Sequence, residues 1–335
     1  MDFMLNIDIK KPAEQIDYKD KILLIGSCFT EHIGNALTDL KFTVLQNPNG
    51  ILFDPNSVCK SLQSYISNYK YKEDDLFQLN EVWNSWNHHS RFSHIDKNEC
   101  LKGINESQQK AHEFLKKADW LIITLGSSFS YRLKEGSSQN PPLGGRGAGV
   151  ANCHRAPSQW FNKYLLDITE TKSLLQETYQ QLKIFNPGLK IIYTISPVRH
   201  IRDGVVENNR SKARLIEAVH QMANNYSNQY YFPAYELVID VLRDYRFYDV
   251  DMVHPNYPAT EFVMEKFKEN FMGEESQSLM EEIRKIIIAR KHKAFQPDTK
   301  AHKSFLKAHL DKATELQSRL PNLDFREEIN YFKSV

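Results

Sequence analysis

Residues 21–40, KILLIGSCFTEHIGNALTDL, decide the fold of this chain. The run from Lys21 to Phe29 is apolar and rich in leucine and isoleucine, and it is interrupted at Gly26-Ser27. Apolar residues then recur at helical spacing, at Ile33, Ala36, Leu37 and Leu40. The pattern predicts a strand, a tight turn and a helix. Ser27 therefore lies at the carboxyl end of a first strand, where open α/β sheets bind their ligands.

Strands and helices continue to alternate up to about residue 270. Further strands are predicted at 42–46, 118–126, 189–197 and 229–240. Helices are predicted at 173–185 and 211–226, and a turn is predicted at Asn47-Pro48-Asn49-Gly50. The runs at 118–126 and 189–197 are apolar throughout, as is typical of strands buried on both faces of a parallel sheet. The sequence therefore predicts a doubly wound, three-layer α/β/α sandwich.

Two segments fall outside this alternation. Residues 136–149, GSSQNPPLGGRGAG, predict a flexible surface loop because they are rich in glycine and proline. Beyond residue 275, apolar residues recur at helical spacing among charged ones, and Ser278 with Glu281 forms a capping-box pattern. We therefore expect an α/β domain over 1–275 and a helical C-terminal extension over 276–335, which packs on the sheet domain or forms a homo-oligomer.

Composition argues against several classes of protein. Lys and Arg number 43 and Asp and Glu 42, so a net charge of +1 offers no electrostatic footprint for nucleic acid or an anionic membrane. No apolar run approaches the ~18 residues of a spanning helix, and no signal-peptide pattern is present at the start of the sequence. The four cysteines form no CxxC pair, which favours reduced thiols. We expect a cytoplasmic protein with neither nucleic-acid nor membrane partners.

Three residues offer nucleophilic catalysis. The amides that open the helix after Ser27 can stabilise an oxyanion beside its hydroxyl, although the serine can equally be a plain helix cap. Asp251 precedes His254 by one helical turn, close enough for the carboxylate to orient the imidazole as a general base, with an ordinary surface pair as the alternative. Together they give nucleophile, orienting acid and base in the chain order Ser, Asp, His.

Other polar residues are weaker candidates. The stretch 83–94, WNSWNHHSRFSH, is compatible with an aromatic, polar-lined pocket in which His89 contacts substrate, or with a packed loop. A zinc site is disfavoured because no carboxylate pair lies nearby at ligand spacing. The side chain of Cys28, next to the serine, is interpreted as a small buried group rather than a rival thiolate. Because it follows Ser27 directly, Cys28 is also counted among the residues expected to contact the oxyanion or substrate. Arg199, His200, Arg202 and Asp203 follow a strand end and could therefore face the site, but the interpretation favoured here is a solvated loop.

Six blocks in order carry a resemblance to a known family. They are Gly26-Ser27-Cys28-Phe29-Thr30, Asn47-Pro48-Asn49-Gly50, Thr124-Leu125-Gly126, Asn152-Cys153-His154-Arg155, Ser196-Pro197-Val198-Arg199-His200 and Asp251-Met252-Val253-His254-Pro255. Over roughly residues 20–270 the chain resembles the GSCFA family, which is similar to the SGNH (GDSL-like) hydrolases. The resemblance implies a mainly parallel, flavodoxin-like sheet, with Ser27 as nucleophile, His254 as base, Asp251 as its partner and Gly50 as an oxyanion N–H donor.

One block departs from the SGNH pattern. SGNH enzymes carry GxND there, and its asparagine donates a hydrogen bond to the oxyanion, whereas this sequence has Gly126-Ser127-Ser128-Phe129. Ser128, Asn152 and His154 are the candidates to donate instead. Loss of one oxyanion donor typically lowers the rate on the order of 10²–10³-fold, which weakens an enzyme without abolishing it.

We therefore expect a cofactor-free serine hydrolase of SGNH type that cleaves a small or carbohydrate O-acyl ester. An O-acyltransferase with the same triad is the enzymatic alternative. A catalytically weak ligand-binding module is the alternative from another class, because the pocket can persist after the chemistry is lost.

Overall fold

The computed structural model describes residues 4–134 and 149–333. In chain order the strands are β1 (Lys21–Gly26), β2 (Thr43–Gln46), β3 (Phe77–Leu79), β4 (Val82–Asn84), β5 (Trp120–Leu125), β6 (Phe129–Leu133), β7 (Gly149–Val150), β8 (Phe161–Leu165), β9 (Lys190–Ile195) and β10 (Gln229–Phe232). The helices are α1 (Cys28–Asp39), α2 (Pro55–Ser67), α3 (Lys97–Leu115), α4 (Ile168–Phe185), α5 (Val205–Asn225), α6 (Ala234–Glu236, continued by a π-helical turn over Leu237–Leu242), α7 (Tyr257–Phe271), α8 (Glu274–Lys291), α9 (Lys300–Arg319) and α10 (Arg326–Lys333). Short 3₁₀ turns lie at Glu73–Asp75, Ser90–Phe92, Ser158–Trp160, Ile201–Asp203 and Tyr245–Phe247.

The central sheet confirms the predicted fold class. Its five strands lie in the order β2-β1-β5-β9-β10, and each pairing is parallel. This order is that of a flavodoxin-like, doubly wound sheet. Side chains of α1 and α7 cover one face, and those of α2, α3, α4 and α5 cover the other. The middle strand β5, WLIITL, is buried along its whole length because both faces are covered.

Two small antiparallel sheets stand beside the central one. One is the β3–β4 hairpin, and the other joins β6 to both β7 and β8. A stacked pair, Phe77 and Trp86, connects them through a shared apolar cluster with Val150 and Phe161. These strands are only two to five residues long and were not predicted from the sequence.

The structure corrects two details of the sequence analysis. The strand predicted at 229–240 ends at Phe232, because Pro233 has no amide hydrogen to donate and the chain then turns into α6. The capping box predicted at Ser278 and Glu281 is wrong, because α8 already begins at Glu274 and both residues lie inside it. The loop predicted at 136–149 lies outside the described residues, except for Gly149 in β7.

The C-terminal region is helical and packs on the sheet domain. Helices α8, α9 and α10 share an apolar cluster, against which Tyr18 and Leu40 of the sheet domain pack. Lys41, just after α1, donates to the buried carboxylate of Glu328 at 2.8 Å. The domain boundary at 275/276 stays a prediction. Among the described helices, none has the length and apolar character needed to cross a membrane.

Candidate active site

The turn after β1 has a geometry that only glycine permits. Gly26 has φ +151°, and a Cβ at that position would lie 2.2 Å from Thr124 O. Its amide donates to Asn47 Oδ1 at 2.9 Å, and its carbonyl oxygen accepts from Leu52 N at 3.1 Å. The turn after β1 and the turn after β2 are therefore joined at the carboxyl edge of the sheet.

Ser27 follows this glycine and caps α1. Its Oγ accepts from Phe29 N at 3.3 Å, its own amide donates to Thr124 O at 3.1 Å, and the residue is 3% exposed. The serine is thus a helix cap, as one interpretation of the sequence expected. Capping uses a lone pair of Oγ and leaves the hydroxyl hydrogen to be given to a base, so a nucleophilic role stays compatible with it.

Asp251 and His254 form a tight pair in the loop before α7. His254 Nδ1–H donates to Asp251 Oδ2 at 2.7 Å, and the amides of Val253 and His254 donate to Asp251 Oδ1 at 2.9 and 3.0 Å. The bond from His254 and these amides lower the pKa of Asp251 to about 2. The carboxylate is therefore ionised near neutral pH and fixes the ring so that Nε2 faces away from it.

The loop that carries this pair is attached to the end of β9. Arg199 donates from its backbone amide to Val253 O at 3.2 Å and from Nη1 to Met252 O at 3.3 Å. Within the described residues, Ser27 Oγ and the His254 ring are not hydrogen-bonded to each other. Catalytic hydrogen bonds are often long or poorly aligned without substrate, so this separation does not exclude a serine–histidine pair.

His200 lies beside Ser27, which the sequence analysis held only as the less favoured alternative. The Cβ that any residue other than glycine would place at position 126 lies 3.2 Å from His200 Nε2, 3.5 Å from Ser27 Cβ and 3.0 Å from Phe53 Cβ. The imidazole packs on the Phe53 ring with centroids 4.8 Å apart. Burial, followed by the nearby Lys212 charge, lowers the pKa of His200 to about 4. The interpretation of this residue as part of a solvated loop is wrong.

Lys212 is a buried cation beneath the site. It is 1% exposed, and its Nζ donates to Gly126 O and Ser196 O at 2.6 Å each. These carbonyls end β5 and β9, so the lysine holds the two neighbouring strand ends together. Burial lowers the pKa of Lys212 to about 7. One signal for it was present in the sequence, because Lys212 lies on the apolar stripe of α5 together with Leu215 and Val219.

Two of the expected oxyanion donors are engaged elsewhere. The Gly50 amide donates to Asn47 O at 2.8 Å, closing its own turn. The Ser128 hydroxyl donates to Ser211 O at 3.0 Å, and the Ser128 amide donates to Ser211 Oγ at 2.7 Å. Ser128 thus binds α5 rather than facing an open site.

Cys28, the first residue of α1, is half-buried, and burial raises the pKa of its thiol. This agrees with a small packed side chain and disfavours a thiolate. The amide of a first helical residue is one of those that no intrahelical acceptor satisfies, so Cys28 keeps a backbone donor at this end of α1.

The remaining candidates, His89, Asn152 and His154, are held by contacts with neighbouring loops. His89 donates from its amide to Asn49 O at 2.8 Å, and its Cβ occupies the space a side chain at position 50 would need. Asn152 Oδ1 accepts from the amide of His154, whose Nε2 in turn lies 2.8 Å from Ser85 O. Within the described residues, neither Asn152 nor His154 forms a hydrogen bond to Ser27.

The histidine-rich stretch is mostly packed. His88 is 1% exposed, its Nδ1 lies 2.9 Å from Ser85 Oγ, and burial lowers its pKa to about 3. Over residues 4–134 and 149–333, no three His, Cys, Asp or Glu side chains come together in a way that could hold a metal ion.

Comparisons with known proteins give two family-model matches and a distant structural similarity. The model of the GSCFA family matches residues 21–267, and a model described as GSCFA domain protein, C-terminal domain, matches residues 283–334. No curated protein matches this sequence. A solved structure of an acetyl xylan esterase (Est2A) from the rumen bacterium Butyrivibrio proteoclasticus is similar at 12% identity and a TM-score of 0.37, over 76% of this chain and 65% of that one. The chain thus spans less than two thirds of that enzyme's length.

Proposed function

We propose that this chain, which belongs to the GSCFA family, is a serine hydrolase of SGNH type that cleaves a small or carbohydrate O-acyl ester, with O-acetyl as the simplest acyl group. Ser27 is the nucleophile, His254 the general base and Asp251 the residue that orients His254. The observation that carries the proposal is the 2.7 Å bond from His254 Nδ1 to Asp251 Oδ2. It sets the imidazole with Nε2 unprotonated and able to accept the serine proton.

The reaction follows from these roles. Ser27 Oγ forms a bond to the ester carbonyl carbon while its proton passes to His254 Nε2. The carbonyl π electrons move to oxygen, giving a tetrahedral oxyanion. Collapse of this intermediate expels the alcohol, which leaves with the proton from His254, and an acyl-serine remains. Water repeats the sequence in the second half and releases the carboxylic acid and free Ser27.

The electrostatic setting favours this chemistry. The hydroxyl oxygen of Ser27 lies at the positive end of α1, where a developing negative charge is stabilised. In its protonated form Lys212 adds positive charge beneath the strand ends, and no carboxylate pairs with it among the described ion pairs. Both features stabilise the negative charge that develops on the substrate oxygen.

A substrate panel tests the proposal. Purified protein is assayed against 4-nitrophenyl acetate, longer aryl esters and peracetylated sugars, with Ser27→Ala as the paired variant. We expect release of acetate from at least one ester by the wild type and none above background by the variant. Equal rates for the two proteins would remove Ser27 from the mechanism.

The acyltransferase alternative shares the first half-reaction and differs in the acceptor. An alcohol such as a free sugar is added to the assay, and the products are separated as acid and transferred ester. Predominant hydrolysis in the presence of excess alcohol supports the hydrolase, whereas predominant transfer assigns the chain to the acyltransferases. A folded protein that shows neither reaction on any ester matches the ligand-binding module.

A further inference from the structure

We propose that His200 is a catalytic residue whose Nε2–H donates a hydrogen bond to the oxyanion formed when Ser27 attacks the ester. The assignment rests on the proposed function, since this oxyanion forms only if Ser27 is the nucleophile. His200 then supplies the donor that the asparagine supplies in SGNH enzymes and that Gly126-Ser127-Ser128-Phe129 lacks.

Space for the oxyanion exists because residue 126 is glycine. A Cβ at position 126 would point at both groups, 3.2 Å from His200 Nε2 and 3.5 Å from Ser27 Cβ. Without that Cβ, the volume beyond Gly126 Cα, between Ser27 and the imidazole, is open to a substrate oxygen. An oxygen on the carbonyl carbon that Ser27 Oγ attacks can then approach Nε2 to hydrogen-bond distance, which is the geometric requirement for an oxyanion donor.

The imidazole of His200 is a side-chain donor near Ser27 that no hydrogen bond within the described residues uses. The amides of Ser27, Gly50 and Gly126 each donate to a backbone carbonyl oxygen, and the Ser128 hydroxyl donates to a carbonyl of α5. Neither ring nitrogen of His200 is hydrogen-bonded to another described residue, while its backbone is fixed by Asn208 Oδ1, which accepts from the His200 amide at 2.9 Å. The imidazole is thus positioned by its backbone and by Phe53, and Nε2 can direct its proton into the space.

The surroundings of His200 keep it uncharged and make it a weak base. Lys212, Lys163, Asp203 and His254 are the charged or titratable groups that act on it, and burial with the Lys212 charge lowers its pKa to about 4. A neutral imidazole has one N–H, which is enough for the oxyanion. Because its protonated form is disfavoured, His200 is poorly suited to take the serine proton, and that role stays with His254.

The test compares two substitutions of the same length, His200→Gln and His200→Met. Glutamine retains an N–H donor near the position of Nε2, whereas methionine packs on Phe53 without one. With 4-nitrophenyl acetate we expect kcat to fall by about 10²–10³-fold in His200→Met, with a smaller loss in His200→Gln and KM little changed in both. The rise of kcat/KM with pH is expected to persist in His200→Gln, because His254 still provides the base.

The matched control is His220→Ala. His220 lies on α5 with its ring against Tyr231, centroids 4.4 Å apart, so it is a histidine in a similar aromatic contact. We expect wild-type kcat from it. Circular dichroism and thermal melts establish that each variant is folded. Because His200→Gln and His200→Met both lack the imidazole ring, the ratio of their kcat values reports the effect of the N–H donor alone.

Two results would overturn the assignment. Equal kcat for His200→Gln and His200→Met shows that no donor is needed there, and loss of the pH-dependent rise in His200→Gln assigns His200 as the base instead. Failure of the proposed function itself is distinguishable, because the wild type then neither hydrolyses the ester nor reacts with a fluorophosphonate at Ser27.

Discussion

Replacing Gly126 by alanine fills the space between Ser27 and His200 with a single methyl group. The added Cβ lies 3.0 Å from Phe53 Cβ, 3.2 Å from His200 Nε2 and 3.5 Å from Ser27 Cβ. These separations require neighbours to shift by only a few tenths of an ångström, and Gly126 has no positive φ that would strain alanine. The methyl group nevertheless fills part of the volume between Ser27 and His200 that the oxyanion needs.

The magnitudes separate catalysis from stability. Overpacking typically costs 1–3 kcal/mol, and the lower chain entropy of alanine in the unfolded state returns about 0.4–1 kcal/mol. We expect a net loss of roughly 0–2.6 kcal/mol in the free energy of unfolding, which leaves the protein folded. Loss of the oxyanion position is expected to lower kcat by at least 10²–10³-fold, on the scale of removing one donor.

Two glycines give matched controls. Gly103, inside α3, has nothing within 4 Å of an added Cβ, so Gly103→Ala should raise the free energy of unfolding by roughly 0.5–1 kcal/mol and leave kcat unchanged. Gly26→Ala places Cβ 2.2 Å from Thr124 O and should prevent normal folding.

The assay is kcat and KM with 4-nitrophenyl acetate beside chemical denaturation of each variant. A folded Gly126→Ala protein with wild-type kcat would refute the idea that the oxyanion occupies this space.

The other predictions concern pH, the buried lysine and the C-terminal helices. We expect kcat/KM to rise with pH, because a histidine base accepts the serine proton only in its neutral form. Asp251, with its pKa lowered to about 2, stays ionised throughout; a flat profile from about pH 5 to 9 contradicts a histidine base. Burial lowers the pKa of Lys212 to about 7, from 10.5 in a free side chain. Above pH 7 the unfolded chain therefore binds more protons at this residue than the folded chain does. The contribution of Lys212 to the free energy of unfolding consequently grows from about pH 7 to about pH 10. Urea titrations at pH 7 and 9 compare the wild type with Lys212→Met. The variant should lack the pH-dependent increase in stability and be less stable at pH 7, because two strand-end carbonyls lose their donor. The same pH dependence in both proteins would contradict a lowered pKa for Lys212. A chain ending near residue 275 exposes Tyr18 and Leu40 and should lose solubility or change its mass in light scattering, whereas a monodisperse, unchanged species would mean that these helices contribute no needed packing.

Much of the fold follows from local patterns in the sequence. The apolar run before Gly26 and the helical spacing after it depend only on near neighbours, and β1 and α1 form as that pattern predicts. The parallel sheet also follows, since strands buried on both faces are apolar along their whole length. The boundary of β10 was missed because the apolar pattern continues past Pro233, while the missing amide hydrogen ends the pairing.

The site could be predicted only in part, because its residues meet through strand order. Asp251 and His254 are three residues apart, so their contact is local and could be expected. His200 reaches Ser27 because β9 lies next to β5 and β5 next to β1, an order the sequence does not state. Ser128 occupies the block where SGNH enzymes place their donor, yet packing against α5 turns its hydroxyl away, and a motif carries no information about that orientation.

A fluorophosphonate probe, which reacts covalently with activated serines, determines whether Ser27 is a nucleophile. The wild type and Ser27→Ala are incubated with the probe, and the adduct is located by intact mass and peptide mapping. We predict one adduct per wild-type chain, on the peptide that contains Ser27, and none on the variant. An adduct on another residue, or ester hydrolysis by a chain that the probe leaves unmodified, would contradict a nucleophilic role for Ser27.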